Sequence, residues 1–376
     1  MARDFSVDFA GRIRNFTLKK KDALLPLFET IVNSLQAIED AGKASSEGLI
    51  EVKLNRLPVL DENMSRGEIT GFTVTDNGIG FDNINFESFL TSDSQLKGDR
   101  GGKGIGRFCW LKVFGDVSVD STYREGEDLY RRQFLFSLGS TSIDDSVTDA
   151  VQKDTGTRIE LRHVKREYLG YIPATGREIA ERVMQHCLVY LLSKTCPTII
   201  VDDEGDKTDI NQMLAGMLET DSDNDELHLS GRVFNLLHIK MKVPEATNKR
   251  SIPSCRLILC ADNREVLTKK LTGLPAGLDK WLVNEYGFSY VGVLTSPYLD
   301  QHVSADRLSF DISADEDGMF DEVGMNEITA AACASARGFL RDFIDAAVSG
   351  QRKQVEQYVT EEAPQFRHLL QYAPEG

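Results

Sequence analysis

The 376-residue sequence is poor in the features that mark secreted, membrane-spanning and zinc-binding chains. Its six cysteines form no C-x-x-C pair and no Cys/His cluster with zinc spacing, so we expect small buried thiols in a reducing compartment. No apolar run is long enough to span a bilayer, and the opening stretch MARDFSVDFAGRIRNF lacks the apolar segment of a signal peptide. These absences predict a cytoplasmic protein without a membrane partner.

Positive charge is also scarce, because 43 lysines and arginines face 59 aspartates and glutamates, for a formal net charge of −16. A surface built mainly to coat DNA needs a net positive footprint. DNA is therefore not favoured as a partner, and only a local basic groove is left open. With 41% hydrophobic and 27% charged residues the composition is that of an ordinary globular protein. Its length accommodates two or three domains.

A glycine-rich, cationic stretch, DRGGKGIGRFCWLKVFG at residues 99–115, runs directly into an apolar segment but fits none of the familiar motifs. A P-loop requires Gly-Lys followed by Ser or Thr, and Lys103 is followed by Gly104. The dinucleotide fingerprint fails because G-x-G at Gly102 leads to Arg107 at the third glycine position. G-x-S-x-G and H-E-x-x-H are also absent. The loop therefore needs another explanation.

Upstream, the segment LLPLFETIVNSLQAIEDAG predicts an amphipathic helix that ends at Gly42, because its apolar residues recur with helical spacing. Glu29 and Asn33 are four residues apart, so both side chains lie on one face of that helix. On its own, this pair is more simply interpreted as a solvated polar stripe.

Two further stretches combine a strand with a glycine turn. GEITGFTVTDNGIGFD predicts a strand that ends at Asp76 and is followed by a Gly-x-Gly turn at Gly78 and Gly80. Alone, it is read as a hairpin turn. DTGTRIELRHV predicts a turn that contains Thr157 and leads into a strand.

Taken together and in this order, these pieces resemble the ATP-binding fold of the GHKL superfamily. That group comprises type II topoisomerases, the ninety-kilodalton heat-shock chaperones, histidine kinases and MutL-type mismatch-repair proteins. The resemblance rests on E-x-x-x-N at Glu29, D-x-G-x-G at Asp76, the glycine-rich loop and the Gly-Thr turn, and covers roughly residues 20–165. Within the group, the chain looks most like a stand-alone bacterial protein of the heat-shock-chaperone type.

The resemblance implies an α+β fold. Residues 1–205 are expected to form an α/β sandwich ATP-binding domain with an N-terminal strap and an ATP lid at about 83–107. A smaller α/β domain like the transducer domain of MutL-type proteins is expected over 206–315, and a helical segment over 316–376.

The resemblance also implies the roles of individual residues. Asp76 would accept the amino group of adenine, Glu29 would be the general base for hydrolysis, and Asn33 would bind Mg²⁺. Arg307 would sense the γ-phosphate. Further contacts to the nucleotide are implied for the two glycines of the D-x-G-x-G turn, and also for Ala37, Lys97, Gly101, Gly102, Lys103, Gly104, Ile105, Gly106, Arg107 and Thr157.

The implied function is hydrolysis of ATP with Mg²⁺ as cofactor, driving lid closure, dimerisation of the N-terminal domains and domain rotation. The protein would act as a molecular clamp or a chaperone-like switch on a client that is left open. The alternative is a non-hydrolysing, ATP-gated sensor or scaffold for a partner protein or a DNA-processing complex. Glu29 favours the enzyme, because a pure sensor does not need a water-activating base.

The second half of the chain predicts strands at VFNLLHIKMKV, CRLILCADNREV and FSYVGVLTSP, the second resembling a transducer hairpin with Asp262 and Asn263 at its turn. Three other predictions concern local structure. We expect one helix over RVMQHCLVYLLSK, a solvated acidic turn at DSDNDE, and a long amphipathic helix over 326–359.

Overall fold

The computed structural model describes residues 9–59, 66–91, 106–138, 143–193, 195–219, 223–243, 253–304, 309–314, 323–363 and 365. They fall into two compact units that divide between Leu214 and Ala215. Each unit combines one β-sheet with helices, so the predicted α+β class is confirmed. Among the described residues, no helix is both long and apolar enough to cross a membrane.

The first unit contains an eight-stranded sheet in the order β5-β4-β3-β6-β2-β1-β7-β8. Neighbouring strands are antiparallel except β1 and β7, which run parallel. The strands are β1 Leu49–Arg56, β2 Ile69–Asp76, β3 Phe114–Glu125, β4 Asp128–Ser137, β5 Asp145–Asp149, β6 Gly156–Val164, β7 Thr198–Asp203 and β8 Asp206–Asp209. Because β2 is an interior strand, its last residue, Asp76, has neighbouring strands on both sides at the end where β2 finishes.

Alternation of side chains along these strands separates a buried face from an exposed one. In β1, Ile50, Val52 and Leu54 are buried, whereas Lys53 between them is exposed. The helices of this unit are α1 Phe9–Asn15, α2 Leu25–Asp40, α3 Asn83–Leu90, α4 Gly106–Val113, α5 Arg166–Leu169, α6 Gly176–His186 and α7 Leu188–Leu192, with a short 3-10 helix Lys20–Asp22. Helix α8, Ile210–Met217, lies at the division between the units.

Helix α2 confirms the predicted amphipathic helix. Its apolar stripe, which includes Leu27, Ile31 and Leu35, is almost fully buried, and each such side chain contributes about 1.5–3 kcal/mol relative to exposure. Pro26 fits the first turn because that position has no intrahelical hydrogen bond to lose.

The described residues on either side of the glycine-rich stretch are helical. Residues 83–90, the first part of the predicted ATP lid, form helix α3, whose N-terminus is capped by Asp82 accepting a 2.7 Å hydrogen bond from the N–H of Asn85. The end of the glycine-rich stretch leads into helix α4, which ends at Val113, and Phe114 opens β3. The single helix predicted over 182–194 is instead two helices, α6 and α7, that meet at Cys187.

A buried ionic network ties the end of β7 to β1 and α6. The carboxylate of Asp203 accepts hydrogen bonds from Nε of Arg56 at 2.6 Å, from the backbone N–H of Gly176 at 2.9 Å and from Arg66. Both Asp203 and Arg56 have nearly inaccessible side chains. Burial alone would raise the pKa of Asp203, but the hydrogen bonds and the charges of the two arginines outweigh it and hold that pKa below its ordinary value.

The second unit contains a five-stranded sheet in the order β12-β11-β13-β10-β9, in which only β11 and β13 are parallel neighbours among the described pairs. Its strands are β9 Asp223–Leu229, β10 Arg232–Lys242, β11 Arg256–Ala261, β12 Arg264–Lys270 and β13 Phe288–Thr295. Its helices are α9 Leu278–Trp281, α10 Pro297–Gln301, α11 Met325–Phe339 and α12 Arg341–Glu361, with a π-helical turn Leu282–Tyr286. Ile328, Ala332 and Ala336 form the buried face of α11 in the core of this unit.

The strands predicted in this half are confirmed, and the hairpin joins β11 to β12 through Asp262 and Asn263. Both turn residues have positive φ, at 50° and 61°, as a type I′ hairpin turn requires. Two predictions were wrong. The acidic stretch from Asp223 onward is the edge strand β9, held by pairing with β10, and the long C-terminal helix is interrupted at Leu340, where α11 ends and α12 begins.

We expect Asp203→Asn to lower the free energy of unfolding by about 3–5 kcal/mol, because Arg56 would keep its buried charge without a partner. Urea denaturation monitored by circular dichroism measures this change. The matched control is Asp206→Asn, whose side chain is 71% exposed and whose ion pair with Arg66 is worth at most about 1 kcal/mol.

The same network makes a prediction about pH. The folded-state pKa of Asp203 lies below the unfolded value of about 3.9, so its contribution is complete above about pH 4 and is lost as the pH falls further. Wild type should therefore lose more stability than Asp203→Asn between pH 5 and about pH 3. Equal losses in the two proteins would contradict the assigned role of the carboxylate.

Candidate functional site

The polar face of helix α2 lies beside the end of β2. Glu29, Asn33 and Ala37 follow one another at four-residue spacing, so they share one face of the helix. Glu29 is only 9% exposed, whereas Asn33 is exposed. The helix rises about 1.5 Å per residue, which separates Glu29 from Ala37 by about 12 Å along the axis. The face is therefore long enough for an extended ligand.

The carboxylate of Asp76 is fixed where β2 meets this helix. Its Oδ2 accepts a 2.7 Å hydrogen bond from Oγ of Ser34, and its Oδ1 accepts a 2.9 Å hydrogen bond from the N–H of Gly78. Asp76 is buried, and a carboxylate offers about four acceptor positions. The arrangement orients the carboxylate and is compatible with a further donor from a ligand.

Glycine is required in the turn after β2 because the chain passes very close to its neighbours. A Cβ on Gly78 would lie 2.6 Å from the carbonyl carbon of Ala37, and the next N–H, of Ile79, donates to the carbonyl oxygen of Ala37 at 2.9 Å. Gly80 has a φ of +85°, and a Cβ there would lie 2.3 Å from the carbonyl oxygen of Thr122. The turn is thus clamped between helix α2 and strand β3.

Thr157 lies on the other side of Asp76. The two residues are paired across β2 and β6, and Oγ1 of Thr157 is 2.9 Å from Oγ of Ser121 on β3. Ser121 also accepts a 2.8 Å hydrogen bond from the N–H of Phe81, just beyond the glycine turn. The predicted residues Asp76, Gly78, Gly80 and Thr157 are therefore together at one end of three adjacent strands.

Arg132, on β4, holds the chain that leaves the turn. Its guanidinium donates to the carbonyl oxygens of Phe81 and Asp82, both at 2.8 Å, and to the side chain of Asn83, while its Nε donates to Asp145 at 2.9 Å. The side chain is 4% exposed and also lies over aromatic rings of α3 and β3. Sequence reasoning identified neither Arg132 nor Ser34, because both act through partners far away in the chain.

Arg107, predicted to contact the nucleotide, is buried in helix α4. It donates to the carbonyl oxygens of Ser88 at 3.2 Å and Thr91 at 2.5 Å, and it lies over the ring of Phe89. Those carbonyls belong to the last turn of α3 and the residue after it, so the guanidinium links the end of α3 to the start of α4. This arrangement joins the two helices on either side of residues 92–105.

The remaining predicted residues are only partly covered. Gly106 is the first residue of α4. The predictions for Lys97, Arg307 and the run Gly101, Gly102, Lys103, Gly104 and Ile105 lie outside the described residues. In the described part of the chain, no group of three or more His, Cys, Asp or Glu side chains could hold a metal ion. Asn33 is an oxygen donor of the type that Mg²⁺ uses together with water and phosphate oxygens.

Comparison with known proteins gives matches only among solved structures. No family model and no curated protein matches the sequence. Among solved structures, the chain is similar to the crystal structure of the 43K ATPase domain of Thermus thermophilus gyrase B in complex with an aminocoumarin, with a TM-score of 0.42 and 14% sequence identity over 88% of this chain and 92% of that chain. Because the TM-score and the sequence identity are low, we infer the chemistry of the site from the contacts within this chain alone.

We expect Gly78→Ala to lower the free energy of unfolding by about 1–3 kcal/mol, because the added methyl group collides with the backbone of α2. Thermal and urea unfolding would measure the loss. Gly170→Ala is the matched control, since its φ is −69° and an added Cβ meets nothing within 4 Å. An unchanged Gly78→Ala protein would contradict the close approach of turn and helix.

Arg132→Met should release the start of α3, because the carbonyl oxygens of Phe81 and Asp82 would lose their donor at a cost of about 3 kcal/mol. Hydrogen exchange measured by mass spectrometry should show faster exchange over residues 82–90. Arg131→Met is the control, because its partly exposed side chain pairs with Asp120 instead. Equal protection of α3 in wild type and Arg132→Met would refute this role.

Proposed function

We propose that this chain binds ATP together with Mg²⁺ and hydrolyses it to ADP and phosphate. The observation that carries the proposal is the oriented carboxylate of Asp76 at one end of the polar face of α2, with Glu29 at the other. A ligand that reaches both residues must be elongated, with a hydrogen-bond donor at one end and a group attacked by water at the other.

The Asp76 end suits adenine. A carboxylate accepts the exocyclic amino group of adenine, whereas guanine presents a carbonyl oxygen at the equivalent position and would be repelled. Thr157 and the close-packed backbone at Gly78 and Gly80 shape the surroundings of the base. Ser34 keeps the carboxylate in the accepting orientation.

The Glu29 end suits hydrolysis. A nearly buried glutamate on the same helix face can take a proton from the attacking water as general base. Asn33, one turn along, would contribute an oxygen ligand to Mg²⁺, which neutralises phosphate charge when bound. These two roles are proposed from the helix geometry and from residue chemistry.

The phosphate contacts are proposed from sequence. Glycine-rich backbone N–H groups before the N-terminus of a helix bind phosphate well, and the run Gly101–Ile105 directly precedes α4. Lys97 and Lys103 would add positive charge there, and Arg307 would sense the γ-phosphate. Arg107 would act by holding α3 and α4 together beside this run.

ATP binding is further proposed to close a lid and to dimerise the N-terminal regions, so that the protein works as a clamp. Helix α1, in the predicted N-terminal strap, packs against α4 of its own chain, and Nζ of Lys112 donates to the carbonyl oxygen of Arg14 at 3.1 Å. Light scattering with a non-hydrolysable ATP analogue and Mg²⁺ should show a dimer. A monomer at saturating analogue would exclude the clamp.

Binding and turnover separate the proposed roles. Glu29→Gln should bind ATP with nearly unchanged affinity but hydrolyse it at least about 100-fold more slowly. Asp76→Asn should bind at least about 10-fold more weakly, because it loses a charge-assisted hydrogen bond to the base. Calorimetry and a phosphate-release assay measure the two effects, with Glu39→Gln, on the exposed end of the same helix, as control.

The outcome also decides between the two functions. Slow turnover by wild type that Glu29→Gln abolishes supports the ATPase. Binding without turnover in either protein would favour the ATP-gated sensor. Absence of ATP binding by wild type would reject both.

A further inference from the structure

Two basic runs stand out in this acidic chain. GRIRNFTLKKK, at residues 11–21, carries five cationic residues and no acidic one, and RHVKR, at 162–166, is also free of acidic residues. The rest of the sequence must therefore be even more acidic than the net charge of −16 indicates. Such a separation of charge is a sign of a local electrostatic surface.

The fold brings the two runs together in the first unit. Helix α5, which begins at Arg166, packs against the 3-10 helix Lys20–Asp22. Lys112 joins the end of α1 to α4, and Nζ of Lys165 donates to the carbonyl oxygens of Leu111 and Lys112 at 2.5 and 3.2 Å. The two runs, far apart in sequence, thus lie next to each other in the first unit.

Four of these cations are available to a partner. Lys19, Lys20, Lys21 and Arg166, here called the basic face, are exposed and form no ion pair within the described part of the chain. Two other residues of the runs, Arg162 and His163, are hydrogen-bonded to the carboxylate of Asp116 and are therefore less available to a partner. The acidic neighbours of the basic face in sequence are Asp22 and Glu167.

The basic face belongs to the folded surface and is held there by buried side chains. Ile13 and Leu18 are buried on one side of the lysines, and Tyr168 is buried behind Arg166. Like charges fixed close together repel one another, so a polyanion that binds them relieves this repulsion. The backbone positions of the four cationic residues are therefore set before any partner arrives.

We propose that the basic face binds the phosphate backbone of double-stranded nucleic acid without reading its sequence. Neighbouring ammonium and guanidinium groups match a row of phosphates and release counterions on contact. An amphipathic-helix membrane anchor is the poorer match, because such an anchor inserts apolar side chains into the bilayer surface. In the described parts of the two runs, no large apolar side chain is exposed.

Fluorescence anisotropy with a labelled 25-base-pair DNA duplex, at salt concentrations from 50 to 200 mM and without nucleotide, tests this proposal. Four phosphate contacts should give a slope of log affinity against log salt of about −3.6. Reversing Lys19→Glu, Lys20→Glu and Lys21→Glu together should reduce the slope to about −1 and weaken binding at least about 10-fold. The control Lys242→Glu, Lys280→Glu and Lys353→Glu changes net charge equally at exposed lysines elsewhere.

We expect the control to bind like wild type, with circular dichroism showing both triple variants folded. Equal weakening by the two triple variants would reduce the effect to net charge and overturn the proposal. So would absence of salt-dependent binding by wild type at 50 mM salt, or binding to vesicles containing phosphatidylserine but not to the duplex. Because no nucleotide is present, failure of the ATP proposal would leave this result unaffected.

Discussion

The close contact between the turn after β2 and helix α2 fixes the geometry on which the rest of the site depends. Gly78 approaches the backbone of Ala37 so closely that a methyl group would collide with it, and Ile79 donates a hydrogen bond to the same carbonyl oxygen. One turn away, Ser34 orients Asp76. Since β2 lies in the middle of the sheet, this contact sets a polar helix face beside a carboxylate that the sheet holds in place.

Buried charges then secure the elements around that contact. Arg132 on β4 donates hydrogen bonds to the segment after the turn, and Arg107 on α4 donates to the end of α3. Asp203 accepts hydrogen bonds from Arg56 and from the N-terminus of α6. Each charge is neutralised or hydrogen-bonded, as burial demands. The basic face, in contrast, presents positive charge at the surface. Cationic residues of this acidic chain therefore stabilise the interior and also form a local cationic surface.

Sequence predicted those parts of the fold that local pattern determines. The apolar spacing of α2, the end of β2 at Asp76 and the glycines of its turn were all predictable, because periodicity and positive φ are local properties. Ser34, Arg132 and the Arg56–Asp203 pair were not, since their partners Asp76, Phe81 and Asp203 lie 42, 51 and 147 residues away in the sequence. The edge strand β9 was missed because its acidic residues lack apolar alternation and it is held by pairing with β10.

The most direct test of the central claim is a crystal structure of the protein with Mg²⁺ and a non-hydrolysable ATP analogue. We expect the exocyclic amino group of adenine to donate to the carboxylate of Asp76 and the triphosphate to extend along α2 toward Asn33 and Glu29. An analogue bound elsewhere, or bound with its base making no contact with the carboxylate of Asp76, would contradict this binding mode.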